Sequence, residues 1–245
     1  SNAFDGEKVK TWNEGKNILI GHQTRSQSVL KQMVDDKESS INETTFVKVS
    51  ARFKTIQKDF GNDCHVHLHI RSPGGSMFYA MLIAYQVFLW KGRVTAHIHQ
   101  MACSGGTLIA LSCNEIVMEN DSVLGPIDPQ VNKTMPSYSA TQILKIININ
   151  PLEIKEDSEY KQAVIPNKAN AKESELMPFL EANLILSQAF DLIKVYKEFL
   201  HKILAKNYEE ESLREKIISF FWLSRPHSMP IFRDECKKIG LYIAQ

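Results

Sequence analysis

The sequence predicts an α/β fold built on a parallel sheet, and three observations predict it. Cys64-His-Val-His-Leu-His-Ile70 alternates apolar and polar residues at the period of a strand, and Val94-Thr-Ala-His-Ile-His-Gln100 is a second strand. Each runs into a cluster of small or chain-breaking residues, Arg71-Ser-Pro-Gly-Gly75 in the first case and Ala102-Cys-Ser-Gly-Gly106 in the second. Behind each cluster the pattern turns helical: Met77, Ala80, Met81, Ala84, Val87 and Phe88 share one spacing, and Thr107 to Ser112 open another helix. Glu115-Ile-Val-Met118 is a third short strand. Strands and helices alternating at this pitch are the mark of parallel β-α-β units.

The other elements follow in order. Asn17-Ile-Leu-Ile20 is a short strand ahead of the pattern, and residues 26–60 mix charge with scattered apolar positions, as helices and connectors do. Gly125-Pro-Ile-Asp-Pro-Gln130 is a rigid loop with two prolines. Residues 151–178 are irregular and charged, and read as an insertion or mobile loop within one domain covering residues 4–245. Glu181 to Asn207 carry the longest helical signal, with Leu184, Ile185, Ala189, Leu192, Ile193, Tyr196 and Leu200 along one side. A further helix covers Glu211 to Phe221. The sequence closes with a short helix over Phe232–Leu241, ended by Gly240, and a strand. Ser1-Asn2-Ala3 reads as the remnant of a cleaved tag.

Composition narrows the classes of function. Of 245 residues, 43% are hydrophobic and 23% charged, which is the balance of a soluble globular protein. With 29 basic and 28 acidic residues, no broad footprint for nucleic acid is expected. No apolar run reaches the ~18 residues of a membrane span, so membrane association would have to come from a segment upstream. Four cysteines without CxxC spacing point to reduced thiols and a cytoplasmic setting. No nicotinamide or pyridoxal-phosphate motif is present, and no cofactor is expected.

The chemistry concentrates on two glycine pairs. Gly74-Gly75 and Gly105-Gly106 follow successive strands, and in an open parallel sheet such turns lie together beyond the carboxyl ends of neighbouring strands. Glycine there lets backbone N–H groups approach a ligand with no Cβ in the way. Ser104, just before the second pair and at the start of a helix, sits where a nucleophile is useful. The neighbouring N–H groups could cradle an oxyanion, at about 3–4 kcal/mol per donor in acyl transfer. Taken singly, each pair is more often simply a tight turn that needs a positive φ; the order and spacing of the two together are more telling.

The order of motifs adds a resemblance. His69-Ile-Arg-Ser-Pro-Gly-Gly75, Ala102-Cys-Ser-Gly-Gly-Thr-Leu-Ile-Ala-Leu111, Asn114-Glu-Ile-Val-Met118 and Leu124-Gly-Pro-Ile-Asp-Pro-Gln130 together resemble the serine dehydrogenase proteinase family. These are relatives of signal peptide peptidase SppA and of the Clp proteolytic subunit. The likeness is dense over residues 64–150 and resumes near Trp222 and His227-Ser-Met-Pro-Ile231. It implies a ClpP/crotonase-type spiral of repeated β-β-α units with a parallel sheet and flanking helices. It also implies a serine peptidase working through an acyl-enzyme on Ser104, with Gly105 and either Gly74 or Gly75 forming the oxyanion hole. Peptide or protein substrates and a homo-oligomer are implied with it.

The proton acceptor is left open at this level. Where the Clp pattern carries its histidine, this chain has Asp128-Pro129-Gln130. SppA relatives use a lysine instead, which must be desolvated enough for its pKa to fall from ~10.4 toward neutrality. Lys145, Lys155, Lys161, Lys168 and Lys194 lie in the right part of the chain. The family pattern places its lysine near Leu192; Lys194 is two residues farther on, about 200° around a helix. His227 matches a His-x-x-Pro-Ile element of the family and is a candidate base or orienting group. Should none of these serve, the chain would be a silent relative that binds peptides. A crotonase-like enzyme acting on acyl-CoA is a further reading, but no basic patch suits the coenzyme.

Five histidines stand on two strands, His65, His67 and His69 on one and His97 and His99 on the other. Alternation puts each set on one strand face. No Cys, Asp or Glu falls at a familiar ligand spacing, so the expectation is no metal.

Overall fold

The structure, a computed structural model, describes residues 17–21, 40–131, 138–154 and 173–244. Its main sheet runs in the order β1 (Asn17–Gly21), β2 (Val66–Ser72), β3 (Val94–Ala102), β4 (Glu115–Met118), β9 (Ile243–Ala244), all parallel. β3 has two neighbours on the same edge: residues 95–98 pair with β4, and Met101–Ala102 pair with β5 (Val123–Leu124). That change of partner within one strand turns the sheet into the next coil of a spiral. β5 in turn pairs antiparallel with β8 (Ile231–Phe232), so the end of the chain returns to the sheet beside the end of β3. A small antiparallel pair, β6 (Gln130–Val131) with β7 (Tyr138–Ser139), follows the β5 loop.

Helices fill the connections. α1 (Glu43–Phe60) begins at a capping box, where Asn42 Oδ1 accepts the Thr45 N–H at 3.1 Å and Thr45 Oγ1 accepts the Asn42 N–H at 3.3 Å. It ends at Gly61, whose φ of 86° only glycine adopts readily. α2 (Met77–Leu89) buries Ala80, Ile83, Ala84 and Val87, and α3 (Gly105–Leu111) is buried along its whole length. Their crossing is close: a Cβ on Gly105 would stand 2.8 Å from the Ala80 Cβ. Val66, Leu68, Ile70, Val94, Ala96 and Ile98 supply the sheet's share of this core at 0–1% exposure. Burial of such side chains contributes about 1.5–3 kcal/mol each.

The expected strands and helices are present, with shifted ends. The second strand runs to Ser72 and the third to Ala102, because each continues pairing into the glycine turn. α4 (Ala140–Ile146) starts after Ser139, which accepts the Gln142 N–H at 3.4 Å. The long helix, α5, spans Glu173–Leu204, so the last residues of the stretch expected to be irregular are helical. Pro178 suggests an interruption there on sequence grounds, yet the helix runs through it. The rest of that stretch, residues 155–172, lies outside the described residues. α6 (Glu211–Leu223) and α7 (Arg233–Lys238) complete the fold. Among the described residues, no helix is long and apolar enough to cross a membrane.

Candidate active site

Ser104 joins β3 to α3 with φ 50° and ψ −117°, a conformation that L-residues seldom take and that costs about 1–3 kcal/mol. The packing around it holds it there. A Cβ on Gly74 (φ 114°) would lie 2.8 Å from the Ser104 Cβ, so the first glycine turn meets the serine directly. Gly75 (φ 143°) is equally confined, since a Cβ there would meet the Ile41 carbonyl oxygen at 2.4 Å. Ile41 clamps that turn by donating its N–H to Gly74 O and accepting the N–H of Ser76, both at 2.7 Å. The Cys103 N–H donates to Ser72 O at 3.0 Å, which ties the two turns together.

Hydrogen bonding separates the glycine N–H groups. The N–H of Gly74 donates to Ser72 Oγ at 3.1 Å, and that of Gly106 to Cys103 O at 2.8 Å. Those of Gly75 and Gly105 donate to no described residue. Cys103, beside the serine, is half-buried and burial pushes its thiol up, which keeps it protonated at neutral pH.

A second group of residues is fastened to this turn by Thr107. Its hydroxyl donates to Ala102 O at 2.6 Å and accepts the Gly125 N–H at 3.0 Å. Gly125 packs so closely that a Cβ would sit 2.9 Å from the Cys103 Cβ. From Gly125 the loop leads to Asp128, which is 4% exposed and accepts a hydrogen bond from His227 Nδ1 at 2.7 Å. Gln130 Nε2 donates to the other carboxylate oxygen at 2.8 Å. The β5–β8 pairing explains the meeting: Val123 stands opposite Phe232 and Leu124 opposite Ile231, and the same register carried onward sets Asp128 opposite His227. The His227 loop is anchored from behind, where Arg225 pairs with Glu235 and donates to Pro230 O. That guanidinium holds the Glu235 carboxyl below its usual range.

The sequence candidates divide accordingly. Ser104, Gly74, Gly75 and Gly105 come together in one turn cluster. His227 is brought by β8 to the Asp128 loop, whose start is bonded to the residue three past Ser104. Asp128 itself is the residue that sequence reasoning passed over. The loop stands out in the sequence for its prolines and for lacking a histidine, while its acid pairs with one 99 positions away. Lys194 is half-buried in α5, and Lys145 is exposed in the last turn of α4. Lys155, Lys161 and Lys168 lie outside the described residues. Among the described residues, none makes a hydrogen bond to the Ser104 hydroxyl. Lys206 has a lowered pKa from burial, but its ammonium donates to Val87 O and Trp90 O. That is the far end of α2, about 20 Å of helix from the glycine turn.

The histidines of β2 and β3 do face one another. His67 Nδ1 lies 2.9 Å from His97 Nε2, and His69 Nδ1 2.9 Å from His99 Nε2. Among the described residues, no group of three or more His, Cys, Asp or Glu is arranged to hold a metal ion.

Comparison with known proteins agrees with this architecture. Two uncharacterized proteins of Methanocaldococcus jannaschii are similar to the chain. One is 28% identical over 184 residues, covering 74% of this chain and 52% of its own length; the other is 29% identical over 182 residues, covering 73% and 53%. The chain thus spans about half the length of the curated relatives it matches. The fold is shared with ClpP1 from Listeria monocytogenes at 14% identity and TM-score 0.50, covering 97% of this chain and 95% of that one. It is shared also with the 1510-N membrane-bound stomatin-specific protease at 13% identity and TM-score 0.50, covering 84% and 75%. The fold is therefore ClpP-like. The description "ClpP-like SDH-type serine proteinase" matches residues 47–182, more than half of the sequence, and the chain belongs to that family.

Proposed function

We propose that the protein is a serine peptidase in which Ser104 attacks the scissile carbonyl, His227 accepts its proton and Asp128 orients His227. The observation that carries this reading is the 2.7 Å bond from His227 Nδ1 to the buried Asp128 carboxylate. A carboxylate on Nδ1 fixes the tautomer that presents Nε2 as an acceptor, and it stabilises the imidazolium formed when the serine gives up its proton. The His227 side chain is partly open to solvent (37%), and with Nδ1 bonded to Asp128 its Nε2 is the nitrogen left to accept a proton. The tetrahedral oxyanion then takes the N–H groups of Gly75 and Gly105, the two that make no other described bond. Collapse of the intermediate transfers the proton from His227 to the leaving amine, and water repeats the cycle on the acyl-enzyme.

This assignment gives Lys194 no part in proton transfer. A fluorophosphonate probe with mass-spectrometric mapping tests it. Labelling is expected at Ser104, lost in Ser104→Ala and His227→Ala, and retained in Lys194→Met. Labelling that survives His227→Ala and disappears in Lys194→Met would replace His227 with Lys194 as base. No labelling of any form, with the fold intact, would favour a silent peptide binder. Assembly into several copies belongs to the same reading: α2 is apolar apart from Gln86 yet leaves Phe78, Tyr85 and Leu89 exposed. Light scattering on the intact protein measures it.

A further inference from the structure

Gln130 closes the proline-containing loop that carries Asp128, and the reaction described above gives it no part. Its amide folds back on the residue two before it: Nε2 donates to Asp128 Oδ2 at 2.8 Å and to Asp128 O at 3.2 Å. The same nitrogen stands 3.4 Å from His227 Nδ1, so amide, carboxylate and imidazole meet in one cluster. We propose that Gln130 is a positioning residue: it holds the Asp128 carboxylate by Oδ2 and keeps a rival acceptor away from His227, so that the Nδ1 hydrogen is aimed at Oδ1. This role rests on the reading of His227 as the base and names the side chain that aims it.

Donor and acceptor chemistry decides which way round the amide lies. A glutamine amide has two hydrogens on its nitrogen and an acceptor oxygen on the other side. With Nε2 toward Asp128, both hydrogens find oxygens of that residue. With the amide reversed, Oε1 would face two acceptors at 2.8 and 3.2 Å. The amide nitrogen has no lone pair to offer, so it cannot draw the hydrogen of His227 Nδ1 away from Asp128 Oδ1, 2.7 Å distant. A carboxylate at position 130 would do so, because it would set a second acceptor beside the ring.

Burial gives the bond its weight. Asp128 is 4% exposed, and a carboxylate taken out of water needs donors in place of the water it lost. Among the described residues its side chain takes one hydrogen bond from His227 and one from Gln130. The backbone presents Gln130 for this task. β6 sets it opposite Ser139 of β7, the Ala140 N–H donates to Pro129 O at 2.8 Å, and the Pro129 ring fixes φ between the acid and the amide. Asp128 is thus held by two strand pairs, β5–β8 delivering His227 to one carboxylate oxygen and β6–β7 delivering Gln130 to the other.

The test uses Gln130→Met, which keeps the length of the side chain and removes the donor, and Gln130→Glu, which keeps its shape and puts an acceptor where the donor was. The rate of fluorophosphonate labelling at saturating probe is expected to fall about 10-fold in Gln130→Met and about 100-fold in Gln130→Glu, with the half-saturating probe concentration unchanged. A parental rate in Gln130→Met overturns the proposal and leaves the peptidase reading intact. Labelling that is indifferent to His227→Ala, or absent from the parent, overturns that reading instead. Proton NMR in a Ser104→Ala background then decides the positioning role without any catalysis, the His227 Nδ1–H resonance being identified by its loss in His227→Ala. That resonance is expected far downfield with Gln130 in place, and moved upfield or broadened by exchange with water in Gln130→Met. A resonance that stays where it was overturns the proposal.

Discussion

The turn around Ser104 and the loop pair around Asp128 and His227 differ in how far the chain must travel to build them. The first uses two short segments on adjacent parallel strands, each ending in glycines: Gly74 and Gly75 take a positive φ, and Gly105 leaves room for the Ala80 Cβ. The second joins residues 99 positions apart through a two-residue antiparallel pairing, β5 with β8. A turn enforced by local sterics leaves its mark in the sequence as Ser-Pro-Gly-Gly and Ser-Gly-Gly. A dyad made by strand register leaves almost none, because neither Asp128 nor His227 has a neighbour that announces the other.

Asp128→Asn presses hardest on this contrast. It should leave the turn intact and remove the orienting carboxylate, lowering peptide hydrolysis by about 10⁴-fold with little change in thermal stability. An unchanged rate would detach the second region from catalysis. Gly74→Ala attacks the first region. A methyl forced to within 2.8 Å of the Ser104 Cβ, at a φ of 114°, should cost about 2–4 kcal/mol in chemical denaturation and abolish probe labelling. Thr107→Val cuts the link between the regions. It strands the buried Gly125 N–H, with an expected loss of about 1–3 kcal/mol by the same measurement.

Ser104→Gly sharpens the comparison in the other direction. Glycine adopts a φ of 50° without strain, so the variant should be inactive yet more stable by about 1 kcal/mol, observed as a raised unfolding midpoint. The smallest effect is expected at the anchor of the His227 loop. Because Arg225 depresses the Glu235 carboxyl, their pairing stabilises the fold above the ordinary carboxylate range and fades as pH falls through it. Arg225→Met should flatten that part of the stability–pH profile by a degree or two in Tm and leave the neutral-to-alkaline limb parallel to the parent's.

Much of the fold was legible because its strands alternate cleanly and its breakers are glycines with a steric task. Val66 to Ser72 and Val94 to Ala102 fall where the alternation puts them. The ends were less legible, since pairing of Ser72 with Ala102 carries both strands past the last alternating residue. Of the site, the serine and the glycines could be read, but not which glycine N–H is already used: Ser72 Oγ, two residues upstream, occupies that of Gly74. The five histidines could be assigned to one face from their period of two. That they pair nitrogen to nitrogen follows only from the register of β2 against β3.

The antiparallel return of β8 has a consequence for the order in which the protein is made. In the proposed triad the nucleophile and the acid are synthesised first, and the base is delivered by a segment that emerges from the ribosome roughly a hundred residues later. A nascent chain that already displays Ser104 in its glycine turn has no proton acceptor until β8 docks against β5. On that reading, peptidase competence arrives only once β8 has docked against β5. A chain truncated before residue 224 loses His227 together with β8 and β9, and on this reading it should remain inert toward the probe.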